Sequence, residues 1–98
     1  YMEVVELNGV LLQAFLNIKT ELNVDISIEI EDSTNIFDVL DSMDIVNLIM
    51  ETEALLEEKL GYYLPLANEE TFDAEKSPLL SYKSWLQFIF TLINNNAR

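Results

Sequence analysis

The chain has 98 residues, of which 5 are Lys or Arg and 18 are Asp or Glu, a formal net charge of −13 at pH 7. Because 50% of the residues are hydrophobic and 10% aromatic, this charge does not signal disorder, which needs low hydrophobicity as well as high net charge. With no His and no Cys, Ser-His and Cys-His nucleophile pairs, His metal ligands and thiolate zinc sites cannot be built. The acidic balance disfavours nucleic acid and anionic lipid, since both are bound through clustered Lys and Arg.

Carboxylate-pair catalysis needs a cleft that raises one carboxyl pKa, and a chain of this length leaves little room for one. The chain is therefore expected not to be an enzyme. It reads as a single domain over 1–98, ordered over about 3–93, with a residue from a cloning junction at Tyr1 and a frayed polar end from Asn94 to Arg98. No long apolar run or leader-like segment is present, so a cytoplasmic monomer without membrane insertion is expected.

In chain order, Val4, Leu7, Leu11, Phe15, Ile18 and Leu22 recur at helical spacing and predict a first helix from Val4 to about Lys19. Gly9 weakens its start, because an interior Gly costs about 1 kcal/mol against Ala. Between Thr20 and Leu40 the helical period is lost, and Val24, Ile26, Ile28 and Ile30 alternate with polar residues. This segment reads as an extended loop laid on the bundle, with a small β-element against Tyr62 to Leu66 as the alternative. Its Asp32 to Phe37 stretch has neither the spacing nor the central Gly of a calcium loop.

The clearest helix is predicted over 42–60. Ile45, Leu48, Ile49, Thr52, Leu55, Leu56 and Leu60 share one face, Asp41 or Ser42 supplies the N-cap, and Gly61 ends it. A short helix is predicted over Asn68 to Lys76 and another turn at Ser77-Pro78. A last helix runs from a Ser81 cap through Ile93, with Tyr82, Trp85, Leu86, Ile89, Leu92 and Ile93 inward. The fold class is thus all-α, with three longer helices, one short one, and a long loop between the first two long helices.

Two features of the 42–60 helix point beyond packing. Met43, Val46 and Met50 lie opposite the core stripe, bordered by Asp44, Asn47, Glu51, Glu53, Glu57 and Glu58, the layout of an apolar docking ridge with charge steering. The span from Thr20 to Glu58 holds 12 of the 18 acids and no Lys or Arg. At the head of the helix, Ser42 stands among Asp38, Asp41 and Asp44, where the helix dipole favours negative charge. As local chemistry this describes an ordinary N-cap equally well.

The string Asp41-Ser42-Met43-Asp44 resembles the Asp-Ser-Leu-Asp attachment site of acyl carrier proteins. The run Ile45 to Glu53 is similar to that family's second helix, Leu60-Gly61 with Leu64-Pro65 to its exit, and Ser77 to Ser81 to the lead into an aromatic last helix. Met43 replaces the common Leu, Asn47 stands where many members have an acid, and Leu40 occupies a place where Gly is frequent. The resemblance implies an acyl-carrier-like bundle. In it, Ser42 would accept 4′-phosphopantetheine from coenzyme A through a phosphopantetheinyl transferase, then carry acyl, β-ketoacyl or aminoacyl thioesters.

It further implies a partner surface of Asp41, Met43, Asp44, Val46, Asn47, Met50, Glu51 and Glu53 for synthases or acyl-transferring enzymes with basic docking surfaces. Leu48, Leu56, Phe88, Ile89 and Phe90 are candidate linings of an acyl cavity. The alternative reading is an unmodified acidic helical module whose ridge binds a basic partner helix.

Overall fold

The computed structural model describes residues 2–96, all of whose regular structure is helical. The expectations about Tyr1, Ala97 and Arg98 fall outside these residues. The elements in order are α1 (Val4–Glu21), α2 (Ile36–Val39), α3 (Ser42–Leu60), a 3-10 turn (Pro78–Leu80) and α4 (Tyr82–Asn96). Helix α4 extends beyond Ile93 through the Asn run. None of these helices is long and apolar enough to cross a membrane.

Helix α1 packs mainly on α3 and to a lesser extent on α4. Leu7, Val10, Leu11, Ala14, Phe15 and Ile18 form its buried stripe, while Val4 and Leu22, expected in it, are exposed. The helix starts before Gly9, at a Glu3 cap that makes no side-chain hydrogen bond. Beyond its Leu22 C-cap the chain turns away at Asn23, which takes the left-handed conformation (φ 56°) that Asn tolerates better than most residues. The Val24 N–H then turns back to the Ile18 carbonyl at 3.3 Å.

Trp85 has no exposed surface and stacks on Phe88, the ring centroids 5.9 Å apart. Tyr82 joins α4 to α1: its hydroxyl donates to Asn8 Oδ1 at 2.6 Å and its ring lies 6.2 Å from that of Phe15. The one polar side chain in the buried face of α3, Thr52, donates to the Leu48 carbonyl at 2.7 Å.

The segment read as strand-like pairs with no strand among the described residues. Val24 and Ile26 anchor it in the core and the half-buried Ile30 packs against the core, but Ile28 between them is exposed, so the alternation is broken. Its backbone is used elsewhere. The Thr34 and Asp32 carbonyls accept from the Tyr82 and Lys83 N–H groups at 2.8 and 2.9 Å, satisfying donors that the first turn of any helix leaves free. Ser81 and Ser84 complete this end reciprocally: Ser81 Oγ accepts from the Ser84 N–H at 3.0 Å, and Ser84 Oγ from the Ser81 N–H at 3.2 Å.

Two expectations change. Asn35 caps an unpredicted single-turn helix, α2, accepting from the Phe37 N–H at 2.9 Å. The helix predicted over Asn68 to Lys76 is instead a series of turns. Asn68 Oδ1 accepts from the Glu70 and Thr71 N–H groups at 2.8 and 3.1 Å, and Asp73 Oδ1 from the Glu75 N–H at 2.8 Å. Short Asn and Asp side chains compete in this way with helix formation. The segment is closed by the buried Ser77, whose hydroxyl donates to the Thr71 carbonyl and accepts from the Leu79 N–H.

Burial, and secondarily the Asp32 charge, pushes the Tyr82 phenol from 10.0 up to about 12. The phenol therefore stays neutral in the fold past the pH at which it ionises in the unfolded chain. The stability this adds is complete below pH 10 and is lost as pH rises toward about 12. Tyr82→Phe is expected to cost about 1 kcal/mol in urea denaturation at neutral pH, with the gap between parent and variant narrowing above pH 10.

Candidate functional site

The approach to α3 is held rigidly. Leu40 is buried and extended, and Asp41 follows as the N-cap, also extended. The Asp41 carboxylate accepts from the Asp44 N–H at 2.9 Å and its carbonyl accepts from the Ile45 N–H at 2.9 Å. Of the two candidate caps, Asp41 therefore does the capping. Ser42 is the first helical residue, exposed, and its hydroxyl is not engaged in capping. At the other end Gly61 takes the left-handed conformation (φ 82°) and donates to the Glu57 carbonyl at 2.9 Å.

Asp44 sits in the first turn of α3 and holds its proton more strongly than an ordinary aspartate. Partial loss of hydration is the main cause, followed by the charge of Asp41 and a hydrogen bond with it. Two carboxylates thus crowd the tip of the helix beside Ser42. Asp38, on α2, is exposed nearby in sequence.

Met43, Val46 and Met50 are 68%, 39% and 61% exposed, so all three face solvent. Ala54, also exposed, continues this face one turn on; its i+4 spacing from Met50 was the available signal. The acidic border divides by role. Glu51 Oε2 accepts from Asn17 Nδ2 at 2.8 Å, tying α3 to α1. Glu53 accepts from the Leu66 N–H at 2.8 Å and from the Tyr63 hydroxyl at 3.2 Å, fastening the chain that leaves α3. Asn47 is half-buried, whereas Asp41, Glu57 and Glu58 are exposed.

Leu48, Leu56 and Ile89 have no exposed surface, and Phe88 and Phe90 are half-buried against the same core. None of these five lines either of two surface clefts. The first, about 330 Å³, lies between α1 and α3 and is bordered by Gly9, Val10, Gln13, Leu55 and Lys59 among others. The second, about 260 Å³, lies between α1 and the long loop, bordered by Leu12, Phe15, Leu16, Ile26 and Ile28 among others. Among the described residues no group of three or more acids is placed to hold a metal ion.

Comparison with protein-family models, with curated proteins and with solved structures yields no match. The reading of the site therefore stands on its residues and their geometry.

The division of labour at the helix tip has a direct test. Asp41→Ala is expected to cost about 1 kcal/mol of stability in chemical denaturation, and Ser42→Ala to stay within about 0.5 kcal/mol of the parent. Glu53→Ala is expected to speed hydrogen exchange at the Leu66 amide while leaving that of the α1 amides unchanged, because its bonds reach only the 61–66 segment.

Proposed function

We propose that this chain is a carrier protein of the acyl carrier type, bearing a 4′-phosphopantetheine arm on Ser42. The observation that carries this reading is the state of that hydroxyl: exposed, at the first residue of α3, and relieved of capping by Asp41. The exposed apolar ridge beside it offers a visiting enzyme a contact surface, and Asp41 and Asp44 offer it charge. The finer description of the fold as an acyl-carrier bundle belongs to the same proposal. Its support is the order of α1, α3 and α4 and the exit at Gly61.

In the modification step the Ser42 oxygen attacks the phosphorus nearest the pantetheine of coenzyme A. A serine-phosphorus ester bond forms, the pyrophosphate bond breaks, adenosine 3′,5′-bisphosphate leaves, and the hydroxyl proton passes to a base of the transferase. When attached, the arm supplies a thiol for thioester formation. The chain itself has no Cys that would compete. Its own residues hold the attachment point at a fixed helix tip, surround it with negative charge and present Met43, Val46 and Met50 to the partner.

Incubation with coenzyme A and a broad-specificity phosphopantetheinyl transferase is expected to add one arm by mass, and Ser42→Ala to abolish the gain. A folded chain that gains nothing beside an active transferase overturns the proposal. That outcome, together with binding of a basic helix to the ridge, would make this an unmodified interaction module.

A further inference from the structure

Helix α1 has a second apolar face. Val5, Leu12 and Leu16 are 82%, 38% and 49% exposed, and with the exposed Gly9 they fall at intervals of four, three and four residues, the spacing of a coiled-coil seam. The opposite side of the same helix carries the core residues Leu7, Ala14 and Ile18. Helix α4 shows the contrast: its outward positions are Lys83, Gln87, Thr91 and Asn95, all polar. The exposed Ile28 joins Leu12 and Leu16 at the second cleft and widens the apolar strip.

The charge pattern selects the occupant. The ridge on α3 is bordered by acids and suits a basic partner. The α1 seam carries no charge of its own from Leu7 through Ile18, and the clefts beside it are bordered by both signs, Glu6, Glu58 and Lys59 at the first and Lys19 and Glu29 at the second. In a chain of net charge −13, this is an apolar helical face on which two copies can meet with least repulsion. The seam is also self-complementary when the helices run in opposite directions. A two-fold axis level with the Val10-Leu11 peptide sets Val5 against Leu16 of the second copy, and Leu12 against its Gly9. A Cβ at Gly9 would meet nothing within 4 Å, so Gly9 leaves a recess for the incoming Leu12.

We infer that the outer face of α1 is a self-association site, on which a second copy packs antiparallel through Val5, Gly9, Leu12 and Leu16. This replaces the monomer expected from sequence with a weak, reversible dimer, because the seam is short and each copy repels the other beyond it. The contact leaves Ser42 and the α3 ridge free and does not depend on the carrier reading.

The sign of the salt dependence is diagnostic. Sedimentation velocity from about 20 μM to about 1 mM protein is expected to show a concentration-dependent rise from the 11.3 kDa monomer toward twice that mass, with at least tenfold tighter association at about 0.5 M salt than at about 0.02 M. Salt screens the mutual repulsion, the reverse of its effect on docking to a basic partner. Leu12→Glu and Val5→Glu, both at exposed positions and checked for helical content, should each abolish the rise, while Ser42→Ala should leave it unchanged.

Direction has its own readout. Under mild oxidation, a mixture of Val5→Cys and Leu16→Cys chains should cross-link faster than either alone. In the antiparallel pair, two copies of position 5 lie about 16 Å apart at about 1.5 Å per residue. A constant monomer mass throughout, association indifferent to Leu12→Glu, or fastest cross-linking by Val5→Cys alone each overturns the inference.

Discussion

The Asp41 carboxylate accepts the hydrogen bond that opens α3, and the freedom of the Ser42 hydroxyl depends on that choice. Ser and Asp are about equally good caps, and here they are adjacent. With the carboxylate in place, the helix start is fixed by Asp41, and the hydroxyl beside it is free of capping. Had Ser42 been the cap, its hydroxyl would be held by the helix it opens, and losing it would cost about 1 kcal/mol. Burial of Leu40 immediately upstream keeps the approach to this turn from drifting.

The acids are not a uniform field. Glu51 and Glu53, two residues apart on α3, point to opposite flanks. One meets Asn17 on α1 and the other meets the backbone of Leu66. Both hold neighbours, and the exposed acids along this helix are Asp41 at its start and Glu57 and Glu58 near its end. A surface that looks like one electrostatic feature in the sequence is, in the fold, two tethers flanking an apolar strip with exposed carboxylates at each end.

How much could be read beforehand follows from where the information lies. Helix α3 was legible from end to end because both termini carry their own chemistry, Asp41 before it and Gly61 after it, and because its core stripe runs unbroken. The Ser42 position and the outward direction of Met43, Val46 and Met50 came from that same periodicity. Helix α2 was missed since one turn has no period to detect, although Asn35 is a good cap. The run after Asn68 was misread because its side chains take the backbone donors that a helix needs. The partners of Glu51 and Glu53 lie 34 and 13 residues away in sequence. A helical wheel places a residue on a face but does not say what arrives there. The outer stripe of α1 is masked in the sequence for a related reason: apolar residues lie on both faces of this helix, and the buried stripe alone accounts for its period.

The loop carbonyls that meet the start of α4 divide the long connection into two mechanically different parts. From Glu31 to Asn35 the backbone is pinned at both Asp32 and Thr34 and by a turn between Glu31 and Thr34, so an inserted residue would pull the start of the last helix, and Trp85 with it, out of register with the core. From Asp25 to Ile30 only Ile26 is fully anchored, and extra length there would bulge into solvent at little cost. Natural variation in the length of this connection should therefore collect ahead of Glu31, where a swelling loop would first crowd the strip formed by Leu12, Leu16 and Ile28.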